Sequence, residues 1–327
     1  MVKKPKAIVV GAGFYGLMLA TFLKKKYDVL ILEEQAEPMT QASNLCQMRI
    51  HTGMMYPRNI TTAISCLKTF KPFMLRFKDA IVDDFISLYA VAKDSKISAS
   101  DFYNVQKSLG QNIKKAKFDI FDNVQEVFEC TEFTFDIEII KQTLLNEIDN
   151  VLYNKKVTNL YKNTLVCSDS SIYMFDKVFL CSYAGINDIL LNSDLPIFEN
   201  YKTEISEKIY FRDNLDNVAL CVVDGNYFSS MCLPKRFNGL KTLTGADLTN
   251  NLISKTSNYE KVFERVRKYI PEIKLEYKFS DFGEKCYIQT PDNQNRICHV
   301  LKTDNVYSIL GGKINNVFDL FKELKNV

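Results

Sequence analysis

The sequence predicts an α/β protein built in two regions: a parallel sheet with flanking helices, and an α+β region with an antiparallel sheet. Three observations predict this. A strand, a glycine turn, a helix and a second strand open the chain. An apolar strand ending near Ala184-Gly185 lies in the middle, and another strand, glycine pair and helix lie near the C-terminus. A chain of 327 residues has room for two such regions rather than one small core.

Ala7-Ile8-Val9-Val10 is a short apolar run suited to a buried parallel strand. Gly11-Ala12-Gly13-Phe14-Tyr15-Gly16 follows at once and matches GxGxxG. Leu17, Leu19, Ala20, Phe22 and Leu23 then have helical apolar spacing, which ends at Lys24 to Lys26. A second apolar strand, Val29-Leu30-Ile31-Leu32, runs into Glu33-Glu34. Glu33 follows the first glycine by about 20 residues, the spacing of a ribose-binding acid. Each part has a physical task. Gly11 permits the tight turn, Gly13 lets a pyrophosphate approach the backbone, and Gly16 lets the helix pack on the strand. The free N–H groups and positive end of that helix attract phosphate, while Glu33 accepts ribose hydroxyls and repels a 2′-phosphate. A lone GxGxxG is a weak signal. The ordered unit predicts a Rossmann-type dinucleotide site.

Composition excludes several other classes. A hydrophobic fraction of 46% with 25% charge is that of an ordinary globular protein. A net charge of +3 is too small to make nucleic acid or an anionic membrane the main partner. The short basic clusters at Lys3-Lys4, Lys24 to Lys26 and Lys114-Lys115-Lys117 read as solvated faces. None of the nine cysteines is spaced as CxxC, so neither a zinc ribbon nor a thioredoxin-like motif is expected. Scattered cysteines in odd number read as reduced thiols in the cytoplasm. His51 and His299 alone cannot build a three-histidine metal site, and no metal is expected. The apolar run Ala7 to Leu23 is broken by three glycines and ends in lysines without a small-residue cleavage site. It reads as strand and helix, not a signal peptide or an integral membrane segment.

Three later segments distinguish FAD from NAD. Together with the opening unit, they resemble the D-amino-acid oxidase-like superfamily of FAD-dependent oxidoreductases. Asn44 to Arg58 looks like the family stretch that runs along the flavin, which implies Asn44, Arg49 and Ile50 as cofactor contacts. Within it, Ile50-His51-Thr52-Gly53-Met54-Met55-Tyr56 is similar to the histidine-x-glycine-x-x-tyrosine run of hydroxyglutarate dehydrogenases. The Asn/Gln/Arg spacing before it departs from theirs, so their substrate is not carried across. Phe175 to Gly185 resembles the strand and turn that bring the chain back to the nucleotide region, and implies Cys181, Ser182 and Tyr183. Val157 stands where the family backbone meets the adenine. Val306 to Asn316 resembles the C-terminal strand, glycine pair and helix start whose N–H groups face the flavin, implying Gly311, Gly312, Lys313, Ile314 and Asn315. Ile314, Val317, Phe318, Phe321 and Leu324 define one buried helical face after it. The resemblance also places Ala12, Phe14, Tyr15 and Glu34 at the cofactor beside the three glycines and Glu33. It covers roughly half the chain.

The expected division is a discontinuous FAD-binding domain over 1–60, 131–190 and 291–327, and a substrate domain over 61–130 and 191–290. Val218 to Val223, Asp224-Gly225-Asn226 and Tyr227 to Met231 read as a hairpin with an Asp-Gly turn. Further strands are expected near Glu204 to Phe211 and Lys241 to Thr244, and Ser95 to Ala99 reads as a helix cap before Phe102.

His51, Tyr56, Arg58 and Tyr227 are the candidate catalytic or substrate residues, and each has a structural alternative. His51 fits a positioning base, a covalent flavin attachment point or a hydrogen-bonded structural histidine. Tyr56 and Arg58 suit an anionic substrate, while Arg58 after Pro57 equally suits a surface turn. Tyr227 and Tyr89 fit core aromatics as well as substrate contacts, and His299 reads as structural. The implied reaction moves a hydride from a carbon bearing an amine or hydroxyl to flavin N5. The substrate is then a small amine, hydroxy acid or sugar derivative, and no feature separates oxygen, quinone or protein as electron acceptor. Two other classes remain open: a flavin-dependent nucleotide-sugar mutase using Arg58 and Arg236, and a non-catalytic FAD-binding protein.

Overall fold

A computed structural model describes residues 3–223, 228–245, 256–289, 294–325 and 327. The chain divides into two compact units. The first comprises Met1–Asn44, Glu138–Thr203 and Glu284–Val327; the second comprises Leu45–Ile137 and Glu204–Gly283.

The first unit is the predicted parallel α/β layer. Its six strands lie in the order His299–Thr303, Val306–Leu310, Lys177–Leu180, Lys6–Val10, Asp28–Leu32, Val151–Leu152. All neighbours are parallel except the edge strand His299–Thr303, which is antiparallel to Val306–Leu310. The short apolar runs become strands because both faces of this sheet are covered. Ile8, Val10, Leu32, Val178 and Leu180 enter one core with Leu165, Ile186 and Leu190. Phe14–Leu23 is the helix after the glycine turn, and its Phe22 stacks on Phe321 at 4.9 Å. A three-stranded antiparallel sheet, Val157–Tyr161, Thr164–Cys167 and Ile172–Met174, adds Val157 and Leu160 to the same core.

The second unit carries the predicted antiparallel sheet. Its strands run in the order Leu275–Gln289, Tyr201–Asp213, Lys241–Gly245, Phe228–Cys232, Val218–Val223, Ile86–Ala92, Val124–Cys130, Ile113–Lys115, the first two continuing into the first unit. Val218–Val223 pairs antiparallel with Phe228–Cys232 as expected. The Asp224-Gly225 turn and Tyr227 lie outside the described residues. One pair departs from the antiparallel pattern, since Val218–Val223 and Ile86–Ala92 are parallel. The amphipathic helix Tyr259–Tyr269 closes one face through Val262, Phe263, Val266 and Tyr269. Ser98 caps the helix Ala99–Ser108 by accepting the Asp101 N–H at 3.0 Å.

Two expectations need correction. Residues 45–60 fall in the second unit, not with the nucleotide region. Their packing explains it: Arg49 and Ile50 pair with Thr134 and Phe133, and Met54 is buried with Tyr89, Phe102 and Phe128. The single C-terminal helix is instead a 3₁₀ turn, Ile314–Asn316, followed by the helix Val317–Glu323. No helix among the described residues is long and apolar enough to cross a membrane.

Candidate functional site

The opening glycines have different reasons to be glycine. Gly11 has φ +101°, a conformation that disfavours L side chains, and a Cβ there would stand 2.8 Å from the Cys181 carbonyl oxygen. A Cβ on Gly16 would run into the Gly11 carbonyl, so the helix could not approach its strand. Gly13 is unlike both. Its φ of −69° and ψ of 175° suit any residue, and a Cβ would meet only the Ser43 hydroxyl at 3.4 Å. Neither backbone conformation nor packing requires glycine there. Ser43 also accepts the Phe14 N–H at 2.9 Å. The rest of the first helical turn has N–H groups without intrahelical partners, as every helix start does.

Glu33 closes the other side of this cradle. It is buried, with one carboxylate oxygen accepting the Ala12 N–H at 2.5 Å and the other accepting the Gln35 N–H at 2.9 Å. Burial pushes its carboxyl up from the ordinary range, while those two N–H groups hold it down. Its backbone carbonyl accepts the Lys155 N–H at 2.7 Å, which brings the 155–157 segment alongside. Val157 is buried in the core there. Glu34 is exposed, 3.8 Å from the Lys156 ammonium. Asn44 belongs to the short helix Ala42–Leu45, and its N–H bonds to the Gln41 carbonyl.

The middle and C-terminal segments reach the same edge of the sheet. Because the four central strands are parallel, Gly11, Glu33, Cys181-Ser182 and Gly311 all follow strand C-termini on one edge, where ligands of open α/β sheets bind. The Cys181 N–H donates to the Val10 carbonyl at 2.8 Å, and burial raises the Cys181 thiol well above its ordinary value. Tyr183 adopts φ +48° and its hydroxyl accepts the Cys286 N–H at 2.9 Å. Tyr15 ties the two glycine turns together. Its hydroxyl accepts the Gly312 N–H at 3.2 Å and donates to the Lys313 carbonyl at 2.8 Å. A Cβ on Gly311 would stand 2.8 Å from the Tyr15 ring. Ile314 begins the 3₁₀ turn and Asn315 within it is fully buried.

The Ser182 hydroxyl, Nε and Nη1 of Arg296 and Nε2 of His299, which pairs with Leu310 at this edge, are buried without hydrogen-bond partners among the described residues. Orphaned buried groups of this kind point to a missing ligand or water. Ser43 and Arg296 escaped sequence reasoning. Ser43 has no motif around it, and Arg296 reads as part of a strand before Cys298.

The second unit holds the remaining candidates. Arg49, expected as a cofactor contact, lies in this second unit. Its guanidinium is buried, bonded to Tyr89 Oη at 3.0 Å, Ser229 Oγ at 2.6 Å, Met231 Sδ at 3.0 Å and Met55 Sδ, and 3.4 Å from the Glu132 carboxylate. It anchors Arg49–Ile50 to the large sheet. Ile50 is fully buried beside it. His51 and Tyr56 come together, with ring centroids 6.1 Å apart. Arg58 is exposed one residue before Asn59, whose side chain accepts the Thr62 N–H to cap the helix Ile60–Arg76. Tyr89 is a core residue, and Arg236 is paired with Asp136 through bonds of 2.5 and 2.8 Å. No group of three or more potential metal-binding side chains occurs among the described residues.

Comparison with known proteins agrees with this architecture. Residues 9–56 match the NAD(P)-binding Rossmann-like domain family. No curated protein matches the sequence. Solved structures match almost the whole chain. Glycine oxidase from Geobacillus kaustophilus is 14% identical, with a TM-score of 0.75, covering 96% of this chain and 91% of its own. L-Proline dehydrogenase from P. horikoshii is 14% identical with a TM-score of 0.75, over 97% and 91%. L-α-Glycerophosphate oxidase from Mycoplasma pneumoniae, solved with FAD bound, is 13% identical with a TM-score of 0.77, over 98% and 94%. At such identities the likeness establishes the fold, and this chain has the fold of those oxidases and dehydrogenases over nearly its whole length.

Proposed function

We propose that this chain is an FAD-dependent oxidoreductase that removes a hydride from a carbon bearing an amine or hydroxyl in a small molecule. The observation that carries the proposal is the cradle at Gly13, a glycine the fold does not need, set beside Glu33 and the orphaned Ser182 and Arg296. The residues fit a flavin dinucleotide. Gly13 and the first turn of Phe14–Leu23 take the pyrophosphate, and Glu33 takes ribose hydroxyls. Glu33 lies after the strand on one side of Lys6–Val10 and Gly311 after the strands on the other. The second half of the dinucleotide therefore runs toward Gly311-Gly312.

NAD would use the same first motif. FAD is preferred because the likeness extends over the whole chain to proteins named as oxidases, one of them with FAD bound. When bound, the flavin supplies the electron-accepting chemistry. The protein orients it through the glycine cradle and Tyr15. The first unit is the FAD-binding domain in this proposal, and the second carries His51, Tyr56 and Arg58 as substrate residues.

The test is the visible spectrum of the purified protein, followed by anaerobic addition of pooled amines, hydroxy acids and sugar derivatives. Flavin bands that bleach with one pool are the expected result and identify its substrate class. Bands that resist every pool would replace net oxidation with a mutase or binding role, and a colourless protein that cannot take up FAD would overturn the proposal.

A further inference from the structure

We infer that Arg296 supplies the fixed positive charge that stabilises the reduced flavin; the inference rests on the FAD reading above. Its backbone is locked to the far glycine turn. The Arg296 carbonyl accepts the Lys313 N–H at 3.2 Å and leaves no room for a Cβ on Gly312. That turn follows Val306–Leu310, on the opposite side of the first strand from Glu33. It is the end of the cradle toward which the ring half of the dinucleotide runs.

The side chain is in an unusual state for an arginine. Nε and Nη1 are buried and have no hydrogen-bond partner among the described residues. Its guanidinium carbon lies 5.9 Å from the Tyr287 ring centroid, a contact that leaves the N–H groups unused. Arginine stays protonated in proteins. Burying Nε and Nη1 of a half-buried guanidinium with no counter-charge among the described residues is destabilising, so its position implies a bound group that is electron-rich or becomes so.

Charge balance identifies that group. A hydride carries two electrons and one proton, so adding it to a neutral oxidised ring leaves one net negative charge on the ring. The substrate carbon loses the hydride and is oxidised. A cation held beside the ring favours the reduced state over the oxidised one. The C-terminal helix is poorly suited to that task, because Val317–Glu323 is short and separated from the glycines by a 3₁₀ turn. Arg296, whose carbonyl meets the same turn, brings a full charge.

The experiment compares wild type with Arg296→Met, Arg296→Gln and Arg296→Lys. FAD content, the two-electron reduction potential against a reference dye, and the affinity for sulfite are measured, since sulfite also leaves a negative charge on the ring. Met and Gln variants that retain FAD are expected to shift the two-electron equilibrium about a hundredfold toward the oxidised form, roughly 60 mV at about 30 mV per tenfold. Sulfite binding should weaken by a similar factor, and Lys should restore most of both. If Met fails to hold FAD, Gln against Lys gives the same comparison. An unchanged potential in FAD-loaded Gln or Met protein overturns the inference. So does a variant that loses only the spectral response to acetate, which would give Arg296 to a substrate carboxylate. Wild-type protein that takes up no FAD refutes the FAD reading itself.

Discussion

Gly13→Ala separates ligand recognition from folding. The backbone at Gly13 is open to alanine, and the added Cβ meets Ser43 Oγ at 3.4 Å, an ordinary contact. The fold should lose only the difference between glycine and alanine as a helix N-cap, about 0.5–1 kcal/mol. A pyrophosphate displaced by that methyl would lose at least two charge-assisted hydrogen bonds, each worth about 1.5–3 kcal/mol. The sum, roughly 3–6 kcal/mol, corresponds to about two to four orders of magnitude in Kd. Gly16→Ala should do the reverse. Its Cβ runs into the Gly11 carbonyl and lies 3.4 Å from Val9 Cγ1, so the helix must back away from the strand. Overpacking costs about 1–3 kcal/mol, and a clash with backbone falls at the upper end. Gly185→Ala is the control, since its φ is −84° and nothing lies within 4 Å of the new methyl; it should be neutral or slightly stabilising. Urea unfolding of the apoprotein and FAD titration by flavin fluorescence report the two effects. Equal FAD affinity for Gly13→Ala and wild type, or a Gly16→Ala apoprotein within about 0.5 kcal/mol of wild type, would refute the reasoning.

Arg49→Met should destabilise the protein by about 3–5 kcal/mol, because it strands a Glu132 side chain that is 1% exposed. Adding Glu132→Leu should recover much of the loss, and a double-mutant cycle by denaturant unfolding measures the coupling. For Lys208, burial pulls the ammonium below its ordinary value of 10.5, opposed by Cys46 and Asp281. With the folded value depressed, its stability contribution is complete above 10.5 and is lost as pH falls through the folded value. Lys208→Met should therefore be at least as stable as wild type at neutral pH, with its relative advantage shrinking toward alkaline pH. A Tm series in buffers from neutral to alkaline checks the sign.

Much of the first unit was legible because its signals are local. The strand, the glycine turn, the helix and Glu33 are contiguous, and their spacing follows from how one βαβ unit closes. The Val306 to Leu310 strand and the glycines after it were legible for the same reason. The second unit was legible as alternating strands and turn signals, but the parallel pairing of Val218–Val223 with Ile86–Ala92 was not. Strand direction depends on which distant segment arrives alongside, and nothing within either strand encodes it. Arg49 illustrates the same limit. Next to a family-like run it reads as a cofactor contact, yet the guanidinium is enclosed by Tyr89, Glu132 and Ser229, residues 40 to 180 positions away.

Amino-acid order by itself determined where the chain must turn, which stretches are apolar enough to be buried, and which glycine–helix unit can hold a dinucleotide. Those are properties of φ, ψ and side-chain period, and they act over a few residues. Tertiary structure decided how tightly the packing closes around each of those glycines. Gly11 and Gly16 are crowded by backbone, whereas Gly13 is not. It also decided that Tyr15 bridges to a turn nearly 300 residues away and that Nε and Nη1 of Arg296 are left buried without hydrogen-bond partners among the described residues. Crowding and burial are set by what packs against a residue, and those neighbours range from Gly11 beside Gly16 to Gly312 beside Tyr15.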